Sequence, residues 1–266
     1  MNNIYTLGID IGSTTSKCVV LLNGNTIAGS SIVEQGAGTK GVDIAIDNTL
    51  EPLNLKMEDM SAIISTGYGR NSFKPADKTM SELSCHARGA SVLFENVRTI
   101  IDIGGQDAKV LKLDEKGQLL NFVMNDKCAA GTGRFLEVMA NVLKLKLDDF
   151  GDLDKEAKNR APISSTCTVF AESEVISNLA NNIDVKDILR GIHYSVASRV
   201  AGQAKRIGVV APVAMTGGVS RNSGVVRALE AELDLPIEIS DKSQLAGAIG
   251  ASMFAYDYYL KQKKGE

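Results

Sequence analysis

The amino-acid sequence predicts an α/β protein made of two similar halves. The chain has 266 residues, which is enough for two domains of ordinary size. The segment Ile9–Lys17 (IDIGSTTSK) returns 92 positions later as Ile101–Lys109 (IDIGGQDAK), with five identical residues. Strand-like and helix-like patterns alternate in both halves, and no linker rich in Pro, Gly or Ser separates them. We therefore expect two subdomains around a cleft, residues 1–96 with 242–266 and residues 97–241.

The first half is predicted to begin with a three-stranded meander. Asn23-Gly24-Asn25 separates two runs of β-branched and apolar residues, which is typical of a tight hairpin turn. The predicted helix Ser81–Phe94 has small residues along one side, and we expect it to cross close to another backbone. The predicted elements are strands Ile4–Ile9, Lys17–Leu22 and Thr26–Val33, a helix Val42–Leu50, a strand Ala62–Ser65 and the helix Ser81–Phe94.

The second half repeats the meander and then continues mainly as helix. Val185, Ile188 and Ile192 recur at helical spacing, which predicts an amphipathic helix of about four turns. The last helix is rich in Ala and Gly, which favours close packing against a neighbour. The predicted elements are strands Thr99–Ile103, Ala108–Leu113, Leu119–Met124, Pro212–Met215 and Ile237–Ile239, and helices Gly133–Leu143, Phe170–Ala180, Ser223–Leu233 and Ser243–Leu260.

Charge and hydropathy argue against several classes of function. The formal net charge of −3 gives no basic face for nucleic acid or for an anionic membrane surface. The N-terminus has no basic segment followed by an apolar run, and no apolar stretch approaches the ~20 residues that span a bilayer. We therefore expect a cytoplasmic protein with no nucleic-acid or membrane partner.

Each copy of the repeat is predicted to contain a turn that binds phosphate. A strand that carries Asp10 or Asp102 breaks at a glycine, and a lysine follows in the next strand. Glycine lets the backbone approach a ligand closely, and successive N–H groups in such a turn form an anion site. The alternative is two unrelated turns of common residues. A Gly-x-Gly-x-x-Gly pattern at 36–41 is weak alone, and we interpret it as a strand-to-helix connection.

The two Asp-Gly turns, the later Thr216-Gly217-Gly218-Val219 and the small-residue terminal helix resemble the superfamily of actin, sugar kinases and heat-shock chaperones. The resemblance implies an actin-like (ribonuclease H-like) ATPase fold. It implies that Asp10 and Asp102 orient magnesium waters or the attacking water, with Gln106 as a third catalytic residue. Taken alone, Gly217-Gly218 is also compatible with a simple strand-to-helix turn. The resemblance assigns ATP or ADP to Gly12, Ser13, Thr14, Thr15, Ser16, Lys17, Gly104, Gly105, Gln106, Asp107, Gly217, Gly218 and Gln244.

Two of the four cysteines are candidate ligands of an iron–sulfur cluster. Cys128 and Cys167 each come shortly before a probable helix, whose N-terminus would stabilise a thiolate. Such clusters usually require four thiolates, so a twofold dimer could complete a site from two cysteines per chain. The other interpretation of this pair is as small buried apolar residues. Cys18, within a strand, and Cys85, within a helix, are interpreted as core residues.

The segments Asn125–Arg134 and Thr166–Ser177 resemble the ATPase activators of (R)-2-hydroxyacyl-CoA dehydratases, within the benzoyl-CoA reductase/2-hydroxyacyl-CoA dehydratase ATPase family. The resemblance covers essentially the whole chain. It implies a homodimer that bridges one 4Fe–4S cluster, held by Cys128 and Cys167. It also implies that hydrolysis of ATP, bound with Mg²⁺, drives an electron from ferredoxin or flavodoxin into the dehydratase.

A sugar or acyl kinase with the same fold is the second interpretation. It would need an acceptor pocket and a carboxylate base, for which Asp102 or Asp107 would serve. Protein prepared without oxygen would then be colourless and would phosphorylate a small molecule. A chaperone-like ATPase is less compatible with the sequence, because 266 residues leave no room for a separate peptide-binding module.

Overall fold

The computed structural model describes residues 3–265, which form two compact units. Unit 1 contains the described residues up to 95, residues 116–119 and those from 240 onward; unit 2 contains residues 96–115 and 120–239. The ends of the first predicted subdomain, residues 1–2 and 266, lie outside the described residues. No helix within residues 3–265 combines the length and the apolar character needed to cross a bilayer.

Unit 1 is built on a five-stranded sheet that begins with the predicted meander. The strands are β1 (Tyr5–Ile11), β2 (Ser16–Leu22), β3 (Thr26–Val33), β4 (Ala62–Thr66) and β5 (Lys78–Thr79), in the order β3-β2-β1-β4-β5. β1 is antiparallel to β2 and parallel to β4. The helices are α1 (Gly41–Leu50), α2 (Glu82–Leu93) and α8 (Ala246–Lys264). The Asn23-Gly24 turn has positive φ at both residues, as a tight hairpin requires.

Unit 2 repeats this sheet with the same strand arrangement. Its strands are β6 (Thr99–Ile103), β7 (Ala108–Leu113), β8 (Leu119–Asn125), β9 (Val213–Thr216) and β10 (Ile237–Glu238), in the order β8-β7-β6-β9-β10. β6 is antiparallel to β7 and parallel to β9. Its helices are α3 (Gly133–Leu143), α4 (Phe150–Lys155), α5 (Thr168–Ala180), α6 (Val185–Ile207) and α7 (Ser223–Leu233). The duplication seen in the sequence is therefore a duplication of a whole sheet.

The structure corrects three details of the predicted elements. α6 has 23 residues, more than six turns rather than four, because its buried positions continue through Ala204. The short helix α4 was not predicted, since six residues carry too little periodic signal. β5 was also missed, because two exposed residues show no alternation of apolar and polar side chains.

Helices α2 and α8 of unit 1 cross at glycines. A Cβ built on Gly89 would collide with the carbonyl oxygen of Ala246, and one on Gly250 would collide with that of Cys85. Two backbones can approach this closely only where side chains are absent at the crossing. The prediction of close packing from the small residues in both helices is confirmed.

A buried polar network joins three helices of unit 2 around Asp154 of α4. The carboxylate accepts hydrogen bonds from Arg190 Nε at 3.1 Å and from an Arg227 guanidinium nitrogen at 3.0 Å, and lies 3.1 Å from His193 Nδ1. His193 is fully buried, and its burial lowers the pKa of the imidazole. The pKa of Asp154 is also lowered: its own burial opposes the shift, but the hydrogen bonds from His193 and the two arginines outweigh it.

Candidate functional site

The two aspartates of the repeat occupy equivalent positions in the two sheets. Asp10 lies directly opposite Lys17 in the β1–β2 ladder, and Asp102 lies opposite Lys109 in the β6–β7 ladder. In each pair the lysine Nζ contacts the Oδ2 of the aspartate, at 3.3 Å in unit 1 and 3.2 Å in unit 2. Both carboxylates are 2% exposed, so each is an anion that needs a nearby cation. The paired lysines supply that charge.

Unit 2 carries the more fully enclosed of the two ion pairs. Lys109 is 1% exposed and also contacts Asp107 Oδ2 at 2.7 Å, whereas the Lys17 side chain is 13% exposed. Thr216 of β9 donates a hydrogen bond to Asp102 Oδ1 at 2.8 Å. The repeat predicts a lysine for charge in each turn, but the predicted site residues include Asp107 and Lys17 without Lys109. The matching of Lys109 with Lys17 in the repeat was the signal for including it.

A Thr-Gly pair follows the parallel neighbour of each aspartate strand. Asp10 is in register with Thr66 of β4, as Asp102 is with Thr216 of β9. The glycines that follow these threonines, Gly67 and Gly217, have φ of +85° and +81°. A Cβ on either one would press on the neighbouring aspartate carboxylate. Gly67 was missing from the predicted site because a shared Thr-Gly dipeptide is too short to be distinctive, and strand pairing is what places it beside Asp10.

The first predicted phosphate turn, Gly12–Lys17, is closed by its own backbone and supported by residues that the sequence did not assign to it. Gly12 N–H donates to Thr15 O, and Ala37 N–H donates to Gly12 O, both at 2.9 Å. A Cβ on Gly36 would collide with the carbonyl of Ser13. Gly36 and Ala37 belong to the Gly-x-Gly-x-x-Gly pattern, which therefore supports the turn as it connects β3 to α1. Within residues 3–265 the amide of Thr14 donates no hydrogen bond to the protein.

The second predicted phosphate turn, Gly104–Asp107, is hydrogen-bonded to the first residues of α3. Gly104 N–H donates to Asp107 O at 2.9 Å and so closes the turn. The carbonyl of Gly104 accepts from Gly133 N–H at 2.9 Å, and that of Gly105 accepts from Arg134 N–H at 2.7 Å. A Cβ on Gly133 would lie 3.1 Å from Gly104 O, so a glycine is favoured there. The first helical amides of α3 are therefore occupied by this turn.

The remaining predicted nucleotide residues are spread over both units. Gln106 is exposed at the tip of the second turn, and Ser16 at the base of the first is buried with its Oγ donating to Gln35 O. Gly218 begins a short 3₁₀ turn after β9, in unit 2. Gln244 lies in unit 1, in the 3₁₀ turn Ser243–Leu245 that precedes α8.

The two candidate cluster cysteines lie on loops of unit 2. Cys167 is the N-cap residue of α5, as predicted. Cys128 comes five residues before α3, in a loop where Asn125 Nδ2 donates to the carbonyls of Cys128 and Ala130. The first amides of α3 bind the second phosphate turn, so the free N–H groups expected beside Cys128 are occupied; stabilisation of its thiolate by the partial positive charge of the helix N-terminus stays a prediction. Both thiols are partly exposed.

The other two cysteines belong to the core of unit 1, as predicted. Cys18 and Cys85 are fully buried. Burial raises the pKa of each thiol to about 12, so neither forms the thiolate that a metal requires. Cys128 and Cys167 are thus the cysteines within residues 3–265 that remain as candidate ligands.

Comparison with known proteins agrees with this geometry. Residues 7–255 match the model of the BadF/BadG/BcrA/BcrD ATPase family. The chain is 56% identical over 255 residues to the (R)-2-hydroxyglutaryl-CoA dehydratase activating ATPase of Acidaminococcus fermentans, covering 96% of this chain and 98% of that protein. It is similar in structure to the activator of the 2-hydroxyisocaproyl-CoA dehydratase from Clostridium difficile with bound ADPNP, with a TM-score of 0.96, 52% identity and coverage of 99% and 98%.

A more distant likeness concerns the fold alone. The chain resembles a ROK family glucokinase from Streptomyces griseus with a TM-score of 0.58 and 12% identity, covering 95% of this chain and 99% of that one. Such a kinase has the actin-like fold. The predicted α/β, actin-like ATPase fold is confirmed.

Proposed function

This chain belongs to the BadF/BadG/BcrA/BcrD ATPase family, and on that premise we propose that it activates a 2-hydroxyacyl-CoA dehydratase by ATP-driven transfer of single electrons. A homodimer in the cytoplasm would hold one 4Fe–4S cluster through Cys128 and Cys167 of each copy. Ferredoxin or flavodoxin would supply the electron. The dehydratase as partner is supported by relatives that are 52% to 56% identical over nearly their full length.

The proposal is carried by the direct connection between the second phosphate turn and the Cys128 loop. Thr132, the N-cap of α3, is bonded to Ala129 O through its amide at 3.0 Å and its hydroxyl at 2.7 Å. The next two amides, of Gly133 and Arg134, are bonded to the phosphate turn. A shift of this turn when the nucleotide changes would therefore move the backbone near Cys128, which couples hydrolysis to the cluster.

The cysteine loops suit an iron–sulfur cluster in donor chemistry. The thiols of Cys128 and Cys167 are not in disulfides, and one chain offers two of the four thiolates that a cluster needs. Beside Cys167, the Thr168 hydroxyl is buried without a hydrogen-bond partner among the described residues, so it is available to a cluster sulfur. Val169 and Phe170 are 65% and 64% exposed, as expected if a second copy covers them. When bound, the cluster supplies one-electron redox chemistry.

The nucleotide residues suit ATP with Mg²⁺. The amides of Thr14 in the first turn and of Gln106 in the second have no acceptor among the described residues and are donors for phosphate oxygens. A side chain at Gly67 or Gly217 would collide with the carboxylate of Asp10 or Asp102, so these glycines let each aspartate keep its position. Asp10 and Asp102 would orient water, either on the magnesium ion or for attack on phosphorus. These residues act by positioning and electrostatics, as expected for phosphoryl transfer.

Iron content measured after oxygen-free purification tests the proposal. We expect about four iron and four acid-labile sulfide per dimer in the natural chain. Cys128→Ala and Cys167→Ala should each lose the iron, because a dimer in which both copies lack one of these cysteines supplies two of the four thiolates. Cys18→Ala is the matched control and should retain iron, since that thiol is buried in unit 1. An iron-free, colourless protein that phosphorylates a sugar or an acyl group would instead support the kinase interpretation.

A further inference from the structure

The side chain of Arg199, on α6, contacts both cysteine loops of unit 2. One guanidinium nitrogen donates a hydrogen bond to Ser165 O at 3.2 Å, two residues before Cys167. The methylene stem packs under Gly131, three residues after Cys128. A Cβ built on Gly131 would lie 3.1 Å from Arg199 Cδ and 3.4 Å from its Cγ. One side chain therefore ties the two loops to the same helix.

Gly131 and the Ser164-Ser165 segment are shaped for this contact. Gly131 has a φ of +84°, a conformation that favours glycine, and the missing side chain leaves the space that the arginine stem fills. One turn earlier on α6, Ser195 Oγ donates to Ser164 O at 2.7 Å. Ser195 thus holds the Cys167 loop alone, whereas Arg199 holds that loop and the Cys128 loop together.

The guanidinium of Arg199 has hydrogen-bonding capacity that the chain does not use. Its Nε is buried and has no hydrogen-bond partner within residues 3–265. A buried donor on a permanent cation is costly unless an acceptor, preferably an anion, lies beside it. Serine carbonyls and glycine backbone carry no net charge. The two cysteine loops on either side would supply an anion if their thiols were bound to a cluster as thiolates.

We infer that Arg199 is a positioning residue for the cluster, which it serves by fixing the two cysteine loops on α6 and by placing a positive charge next to the thiolates. The inference rests on the proposed function, because it requires Cys128 and Cys167 to be ligands. Groups around an iron–sulfur cluster set its reduction potential and its retention through charge and hydrogen bonds. A cation favours the reduced cluster, which carries one more negative charge.

The test compares Arg199→Met with Arg199→Lys in the complete, cluster-loaded dimer. Arg199→Met keeps an apolar stem near Gly131 but removes the charge and the bond to Ser165. We expect iron to be released to a chelator about tenfold faster and the midpoint potential to become more negative. Arg199→Lys restores the charge without the planar fork, so the potential should return towards the natural value while iron release stays fast.

Two controls separate this role from general effects on the fold. Ser195→Ala removes the neighbouring carbonyl bond, and Arg206→Met removes an exposed charge from the same helix. Neither should change the potential. If Arg199→Met does not fold, the release rate from Arg199→Lys decides the question. Natural potential and release rate in the Arg199 variants would overturn the inference and leave the proposed function standing, whereas a natural chain without iron would overturn the proposed function itself.

Discussion

The duplicated ion pairs give a matched pair of substitutions whose effects should differ in a predictable way. Lys109→Met removes the cation that contacts both Asp102 and Asp107, where Lys109 is 1% exposed. Removing one partner of a buried ion pair costs about 3–5 kcal/mol, because the remaining carboxylate stays buried without its counter-charge. Lys17→Met removes the equivalent side chain of unit 1, which is 13% exposed. Asp10 is buried too, but water reaches the Lys17 end of this pair, so we expect a smaller loss of about 1–3 kcal/mol.

The free energy of unfolding can be measured by urea titration, followed by far-UV circular dichroism. The chain has no Trp, and unit 2 contains a single tyrosine, Tyr194, so intrinsic fluorescence would report mainly on unit 1. Hydrogen exchange of peptides from β6 and β7 then shows whether the loss in Lys109→Met is confined to unit 2.

A third variant identifies the cause of the loss. In Lys109→Met combined with Asp102→Asn, the uncompensated charge at Asp102 is removed as well. The loss of unfolding free energy in the double variant should therefore be smaller than the sum of the losses in Lys109→Met and Asp102→Asn measured singly, which is the signature of a coupled pair. Equal losses for the two lysine variants, or additive losses in unit 2, would refute the argument that burial makes the second pair the stronger requirement.

Two further predictions concern stability. Because burial lowers the His193 pKa, below pH 6.5 the unfolded chain takes up a proton that the folded chain does not. The stabilising contribution of the neutral His193 is therefore complete above pH 6.5. Below pH 6.5 the free energy of unfolding falls by up to about 1.4 kcal/mol per pH unit. His193→Asn, with no titrating ring, should show a flatter dependence of the urea midpoint between pH 5.5 and 6.5, and an unchanged slope would contradict the assignment. Gly89→Ala should lose about 1–3 kcal/mol in thermal or urea unfolding because the new methyl meets the Ala246 carbonyl. Gly202→Ala, at an exposed position of α6 with open space around it, should instead gain about 0.5–1 kcal/mol, and a gain in both variants would disprove the close crossing.

Several features of this protein could be predicted from local sequence because they depend on local chemistry. The meanders were predicted almost to the residue, since alternating apolar runs and an Asn-Gly turn specify a hairpin without distant partners. Asp10 and Asp102 were found through the repeat, and both lie where equivalent strands end. Cys18 and Cys85 were assigned to the core by their positions inside regular elements, and the structure confirms it.

Residues that act through long-range pairing could not be found in this way. Thr216 reaches Asp102 across 114 positions of sequence, because parallel strands bring together segments that are far apart in the chain. Thr66-Gly67 and Thr216-Gly217 are the same dipeptide, but two residues are too short a match to mark a site until both are placed beside an aspartate strand. Arg199 is one cation among several on a long helix, and nothing in its neighbours along the chain marks it.

A duplicated α/β fold follows from the amino-acid sequence alone, which also predicts two aspartate-bearing phosphate turns and two cysteines suited to a cluster. The groups that complete these sites, and the connection of the second predicted phosphate turn to Cys128, depend on the folded structure. That connection is made by backbone amides of Gly133 and Arg134, and any residue except proline carries such a donor. Side-chain identity therefore indicates the chemistry of a site, whereas the hydrogen bonds that connect one site to another depend on backbone groups, which a sequence pattern does not distinguish.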